Sequence, residues 1–296
     1  MNDMSWVMPL RSEVLTVFFT AVTNLGYGAF LFIFISVGYY FWRSATFYQA
    51  ALLLFLTGAV NILLKDVFQD PRPDLIYRLD GKTGDSFGWP SGHAQMAIVL
   101  WGWLALQAEQ RWLKAFLWTV AVLICISRIY LGVHDVGDVL GGTVLGAVTL
   151  YLWVTLSGLD KLQQAFQDLG KPRLMLGLFV VQLMFIFAHP VNALVFVSAW
   201  MWGMMMGWFA GHTLDGAQGV SLKGGLARRI GVSAIGGLLV FGGLIVSGRS
   251  LAVADAAGGL LAGMALPYVS GLLYGLFMAY LIPQIFRRTG MTVAQN

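Results

Sequence analysis

Residues 113–138 read LKAFLWTVAVLICISRIYLGVHDVGD. The run is apolar for long enough to cross hydrocarbon, which takes about 20 residues of helix, yet it closes on Ser127-Arg128 with His134 and Asp138 behind. A guanidinium at the end of an apolar span is costly unless something pairs with it, and a bound anion would do so. Working outward, the composition says which solvent surrounds this stretch. Of 296 residues, 58% are hydrophobic and 11% charged, against about 25% charged in a soluble domain. Lipid is therefore the main solvent, and the chain reads as a polytopic membrane protein.

Scanning for apolar runs broken by charge, Gly or Pro predicts about nine spans, near residues 18–42, 47–66, 92–108, 113–131, 137–157, 173–189, 191–211, 229–247 and 256–284. No strands alternate apolar and polar residues in the manner of a membrane barrel, and unpaired backbone in hydrocarbon is prohibitively costly, so the expected fold is an all-α helix bundle. Asp3 and Glu13 flank the first stretch and no small-residue cleavage site follows a short apolar run, so no cleavable leader is expected. Cys125, the one cysteine, has no disulfide partner and reads as a small buried hydrophobe.

Nine spans put the termini on opposite sides. With the N-terminus outside, the inner segments hold Arg43, Arg111, Lys114, Lys161, Lys171, Arg173, Lys223, Arg228, Arg229, Arg287 and Arg288, and the outer ones Arg11, Lys65, Arg72, Arg78, Lys82, Arg128 and Arg249. Eleven cations against seven favours this orientation. It brings Lys65, Arg72, Arg128 and both segments of histidine to one outer face.

Lys65 and Arg72 are joined by a stretch containing Asp66, Asp70 and Pro71 and followed by Pro73, so they form a short stiff clamp. A lone cation at a helix end commonly just snorkels to the headgroups, but this pair shares its segment with prolines that fix the backbone. Pro90-Ser91-Gly92-His93 opens the 92–108 run. Alone it is an ordinary helix start; with His93 it becomes an anion site with a proton donor. His134 and Asp138 stand four apart, so on an early-starting helix they share a face and the carboxylate holds the imidazole N–H, while Asp135 points elsewhere. A helix-capping His-Asp pair is the alternative.

Taken together these residues resemble the type 2 phosphatidic acid phosphatase (PAP2) superfamily, whose signature is K-x6-RP, PSGH and SR-x5-H-x3-D. All eleven specified residues are present: Lys65, Arg72, Pro73, Pro90, Ser91, Gly92, His93, Ser127, Arg128, His134 and Asp138. The resemblance covers about residues 47–157. It implies a PAP2-like catalytic core in which His134 is the nucleophile forming a phosphohistidine, Asp138 orients it and His93 protonates the leaving group. Lys65, Arg72, Ser91, the Gly92 N–H and Arg128 would hold the phosphoryl oxygens, with no metal and no cofactor. Two spans before Lys65 and four after the core look more like the glucose-6-phosphatase and sphingosine-1-phosphate phosphatase branch.

Three regions follow: residues 1–157 with the core, a charged cytoplasmic linker at 158–173, and a four-helix membrane region at 174–296. In the last of these the pairs Gly224-Gly225, Gly236-Gly237, Gly242-Gly243 and Gly258-Gly259 suit close helix packing, around a lipid tail or in a homo-oligomer. The polar stretch between Lys65 and Pro90 reads as a lid or an entry wall, with Arg78 and Lys82 as solvated charges or contacts to a second phosphate or a headgroup. His189 and His212 read as boundary residues, and Met201, Met204, Met205 and Met206 as packing. The expected activity is hydrolysis of the terminal phosphate of a lipid phosphate or polyprenyl pyrophosphate at the outer face of a bacterial inner membrane. The partners are then a membrane lipid and phosphate, with no nucleic acid. Transfer to another acceptor, a soluble sugar phosphate, and a lipid or anion transporter are the alternatives.

Overall fold

The computed structural model describes residues 3–82, 86–188, 193–216, 220–222, 224–257 and 260–294; His189 and the pair Gly258-Gly259 lie outside them. The helices are α1 (Glu13–Asn24), α2 (Gly28–Phe41), α3 (Ser44–Phe68), α4 (Gly92–Gln107), α5 (Arg111–Tyr130), α6 (Val136–Ser157), α7 (Asp160–Ala188), α8 (Ala193–Leu214), α9 (Leu226–Ala257), α10 (Leu260–Leu276) and α11 (Ile282–Arg288). Two short strands, β1 (Val220–Leu222) and β2 (Thr292–Ala294), pair antiparallel with Val220 opposite Ala294. The charged stretch at 158–173 falls mostly within α7, which breaks at Gly170, where φ is +70°.

The expectation of nine membrane spans is not met. Among the described residues five helical segments are long and apolar enough to cross, namely 44–68, 111–130, 136–157, 226–254 and 263–288, or six if α1 and α2, bent by 53°, count as one broken span. The run at 92–108 folds as the 16-residue α4, buried on nearly every side by its neighbours. At 1.5 Å per residue it is about 24 Å long, short of a 30 Å hydrocarbon layer. Hydropathy cannot distinguish such a core helix from a lipid-facing one. An odd span count separates the termini and an even one does not, so the orientation argument cannot rest on nine.

The chain divides into two compact units, residues 1–30 with 60–162 and residues 31–59 with 163–296. In the first, α4 packs on α5 and α6. Glycines let α6 come close: a Cβ on Gly142 would lie 2.4 Å from the Ser91 carbonyl oxygen, and one on Gly146 2.7 Å from that of Gln95. Leu140, Val144, Val148 and Leu152, exposed on the opposite face, suit lipid. Helix α1 lies along α5, where the Tyr130 hydroxyl accepts from the Ser12 N–H at 3.1 Å and the Phe19 and Tyr130 rings meet at 4.6 Å.

The α3–α4 loop carries much of the site and is pinned by backbone bonds. Gly88 N–H donates to the Asp70 carbonyl (2.7 Å) and Leu79 N–H to that of Leu131 (2.9 Å). Arg11 Nη2 donates to the Tyr77 carbonyl at 2.5 Å. Gly132, at φ +66°, faces the same carbonyl, and a Cβ there would sit 2.0 Å from it, so both conformation and space demand glycine.

In the second unit α8 packs most extensively on α10. The glycines that make this possible are spaced four apart. A Cβ on Gly203 would fall 2.1 Å from the Tyr268 carbonyl oxygen, on Gly207 2.0 Å from that of Leu272, and on Gly271 2.2 Å from that of Trp200. This is the small-xxx-small device of membrane helices; of the adjacent pairs singled out in the sequence, Gly243 also packs closely, a Cβ there falling 2.8 Å from the Tyr274 ring. Nothing lies within 4 Å of a Cβ on Gly225 or Gly242.

Candidate active site

Helix α6 begins two residues after the nucleophile candidate His134. Asp135 is its N-cap: its Oδ1 accepts from the Asp138 N–H at 2.8 Å, and Asp138 Oδ2 accepts in return from the Asp135 N–H at 3.2 Å. The reciprocal pair is a capping box. It holds the Asp138 carboxylate over the helix start, where Oδ2 also meets His134 Nδ1 at 2.9 Å. His134 is therefore not on the helix, and the shared-face expectation is replaced by the cap. Asp135 supports the site instead of pointing away from it.

A proton on Nδ1 leaves Nε2 with its lone pair, and the Arg72 Nη1 lies 3.0 Å from that atom and donates to it. Arg72 is locked by three further bonds: Nη1 to the Val133 carbonyl (2.9 Å), Nε to the Ser86 carbonyl (2.5 Å) and Nη2 to the Ser86 hydroxyl (2.8 Å). Lys65, on the last turn of α3 and 5% exposed, donates to the carbonyls of Phe87 and Gly88, the latter at 2.8 Å. The loop carbonyls thus aim both cations.

Arg128, 1% exposed at the end of α5, is paired through Nη1 with Asp80 Oδ2 at 3.0 Å and with the Thr23 hydroxyl at 2.6 Å. The sequence showed no partner for this guanidinium; the α3–α4 loop supplies one. His93, in the first turn of α4, packs edge-on against the Tyr27 ring at 4.5 Å. A Cβ on Gly26 would come 2.6 Å from its ring, and one on Gly92 3.0 Å from Asn61 Oδ1. Asn61 ties this helix start down, donating to the Pro90 carbonyl (3.1 Å) and Gln95 Oε1 (2.9 Å). The Ser91 N–H donates to the Asp138 carbonyl at 3.0 Å, joining the second and third motifs.

Four buried polar atoms in this cluster have no hydrogen-bond partner: Ser91 Oγ, His93 Nε2, Arg128 Nε and Asp138 Oδ1. Buried polar groups are nearly always paired; Ser91 Oγ, His93 Nε2 and Arg128 Nε can each donate to an anion, whereas Asp138 Oδ1 can only accept. Burial, then the charges of Arg72, Lys65 and Arg128, hold the His134 imidazolium well below the usual histidine range. Burial and the neighbouring Arg128 and Arg78 push Arg72 down to about 10, which still leaves it charged at neutral pH. Beside Asp138 a cavity of about 350 Å³ is lined by Phe68, Asp70, Trp89, Asp135, Gly137 and Asp138. None of the basic side chains lines it. Among the described residues no group of three or more His, Cys, Asp or Glu is placed to hold a metal ion.

The PAP2 superfamily profile matches residues 46–162, from the start of α3 to just past α6. Phosphatidylglycerophosphatase B of Bacillus subtilis (strain 168) is 32% identical over 172 residues, 54% of this chain and 82% of that protein. The chain belongs to the PAP2 superfamily. It is a PAP2-type phosphatase and an integral membrane protein with several apolar spans. Lipid A 4'-phosphatase of Bacteroides thetaiotaomicron is 32% identical over 116 residues, 36% of this chain and 52% of that one. The crystal structure of a transmembrane PAP2-type phosphatidylglycerolphosphate phosphatase from Bacillus subtilis is similar with a TM-score of 0.47 and 29% identity, covering 52% of this chain and 82% of that one.

The structure therefore gathers Lys65, Arg72, Ser91, Gly92, His93, Arg128, His134 and Asp138 within the PAP2 unit. Residues that sequence reasoning missed are Tyr27, Thr23, Asp80, Ser86 and the capping role of Asp135. Only the last had a local signal, an acidic residue three before another at a helix start. Arg78 and Lys82 brace the loop, Arg78 Nε donating to the Pro73 carbonyl (2.9 Å) and Lys82 Nζ to Asn24 Oδ1 (3.2 Å). His212 belongs to the second unit, stacked on Tyr48 at 3.9 Å and bonded to the Tyr39 hydroxyl at 2.9 Å. Met204, Met205 and Met206 are buried packing. Cys125 is buried beside the Thr143 hydroxyl.

Proposed function

We propose that the protein hydrolyses the terminal phosphate of a membrane lipid phosphate or pyrophosphate through a phosphohistidine on His134. The observation that carries this reading is the bracketed imidazole, with Nδ1 on Asp138 at 2.9 Å and Nε2 on Arg72 at 3.0 Å. Only the Nε2 lone pair can react, and the Arg72 N–H that now donates to it would pass to a phosphoryl oxygen as the substrate binds. The names of the Bacillus and Bacteroides relatives, both lipid phosphatases, favour a lipid substrate.

In the first step Nε2 attacks phosphorus, the bond from phosphorus to the leaving oxygen breaks, and His93 gives that oxygen a proton. The bound phosphate's negative charge favours the protonated His93 that this needs. Lys65, Arg72, Arg128 and the α4 start, with the Gly92 N–H and Ser91, take up the charge on the equatorial oxygens. Asp138 stabilises the phosphorylated imidazolium. Water, giving its proton to the now neutral His93, then attacks phosphorus; the P–N bond breaks, its electron pair returns to Nε2, and phosphate leaves. No step calls for a metal or cofactor.

Purified protein is expected to release phosphate from a panel of lipid phosphates and pyrophosphates faster than from a soluble sugar phosphate. His134→Ala should lose activity by ~10³-fold or more, and the wild type stopped with alkali, which spares phosphohistidine, should carry label at His134. Full activity in His134→Ala would end this mechanism.

The outer face of a bacterial inner membrane is the proposed location. Arg43, Arg111, Lys114 and Lys161 flank α3, α5 and α6 at the ends away from Lys65, Arg128 and Asp138. By the positive-inside bias those ends favour the cytoplasm. This charge bias is local to three helices and is independent of the total number of spans.

A further inference from the structure

Arg128 is held by groups that lie outside all three motifs. Its Nη1 donates both to Thr23 Oγ1 (2.6 Å) and to Asp80 Oδ2 (3.0 Å), while its buried Nε bonds to nothing. A guanidinium grips an oxyanion with two parallel bonds through one of its two-nitrogen edges. With Nη1 tied back, the edge left for a ligand is Nε–Nη2. Asp80 is itself fixed: the Tyr27 hydroxyl donates to its Oδ2 and the Lys82 N–H to its Oδ1 at 3.1 Å. The same Tyr27 ring stands against His93 at 4.5 Å and lies 5.9 Å from the Arg128 guanidinium carbon. One carboxylate and one phenol thus link the phosphate-gripping arginine to the leaving-group acid.

We infer that Asp80, with Tyr27 and Thr23, is the positioning group for Arg128 and His93, so that a carboxylate in the α3–α4 loop governs how firmly the transferring phosphoryl group is held. The inference rests on the phosphatase reading above. Burial pushes the Asp80 carboxyl up, but the Tyr27 hydroxyl, the Lys82 N–H and Arg128 outweigh it and leave the group below the usual carboxylate range, hence anionic at neutral pH. Asp80 shares Nη1 with Thr23 and leaves the Nε side bare. A carboxylate acting as a substitute for phosphate would sit on the bare edge instead.

The test uses the full-length protein in detergent, with phosphate release and inhibition by orthovanadate, a phosphate analogue, as separate readouts. Asp80→Asn should lower kcat/KM by ~10- to 100-fold, mostly through kcat, and weaken vanadate inhibition in step; Asp80→Glu should recover part of both. Thr23→Val, close in shape, and Tyr27→Phe, which keeps the ring on His93, should shift both in the same direction by less, without a change in Tm. Unchanged kcat/KM and vanadate inhibition in Asp80→Asn would overturn the inference. So would tighter vanadate inhibition, the mark of a competing anion. If Asp80→Asn fails to fold, wild-type behaviour of both Thr23→Val and Tyr27→Phe overturns it. Failure of the phosphatase reading is a different result, an active His134→Ala.

Discussion

At the residue scale, the proposed mechanism has one hydrogen bond select the reactive nitrogen of His134. Asp138 Oδ2 accepts at Nδ1, so the proton stays there and, in the proposed mechanism, Nε2 attacks once Arg72 turns from it to a phosphoryl oxygen. Asp138→Asn can turn its amide N–H toward Nδ1 and move the proton to Nε2. We expect kcat to fall by ~10³- to 10⁴-fold with KM nearly unchanged, as when a triad carboxylate is replaced; a loss below tenfold would count against the orienting role. The pH dependence has a definite sign. As the proposed nucleophile His134 must be neutral, and burial with Arg72, Lys65 and Arg128 holds its imidazolium well below the usual range. Neutral His134 therefore persists under pH 6.5 and is lost only as pH falls through the depressed value. Arg72→Gln removes a positive charge and should move the acid limb of kcat/KM up toward neutrality, whereas Arg72→Lys should leave it near the wild type. Profiles on one substrate cancel the ionisation of its own phosphate and decide the matter.

At the scale of elements, the site hangs on helix ends. The Asp135 cap sets where α6 starts and hence where Asp138 lies over His134. Asp135→Ala removes an N-cap worth about 1 kcal/mol and should lower both Tm and kcat, while Asp135→Asn keeps a capping oxygen and should preserve most of each. Helix contacts make a second prediction. A methyl on Gly207 would meet the Leu272 carbonyl oxygen at 2.0 Å, backbone that cannot yield as a side chain can. Gly207→Ala should cost about 1–3 kcal/mol, read as a lowered thermal midpoint in detergent. Gly242→Ala, with nothing within 4 Å, should be neutral or gain up to about 1 kcal/mol from helix propensity. Sequence pointed to glycine as packing material and caught Gly243, but not the four-spaced set on α8 and α10. Adjacent pairs catch the eye, whereas an α-helix repeats its contact face every four residues, and only the partner helix says which face that is.

At the scale of the whole molecule, the orientation of the PAP2 unit is the open physical question with a direct measurement. Cys125 is buried, so single cysteines introduced at Lys82 and Lys161, on a Cys125→Ala background, report sidedness. A membrane-impermeant maleimide added to intact cells or spheroplasts should label Lys82→Cys, and should label Lys161→Cys only after permeabilisation. The reverse pattern would put the site on the cytoplasmic side. The span count shows why composition misled here. Nine apolar runs were legible, but an apolar run records only that water is excluded. Helix α4 excludes water with neighbouring helices, and α1 and α2 break by 53° at residues 25–27, where Tyr27 meets His93 and Asp80.

The amino-acid order by itself determined the solvent, the helical class and the PAP2 superfamily. Eleven motif residues at fixed spacing lie within three short segments, and local spacing survives any arrangement of the segments. Tertiary structure alone decided the rest: the buried standing of α4, the Arg72 bond to His134, and the hold of Asp80, Tyr27 and Thr23 on Arg128. Asp80 is 48 residues from its arginine and Thr23 105. Contacts at such separations follow from which faces the helices bury against one another, and that choice is written in no single stretch of the chain.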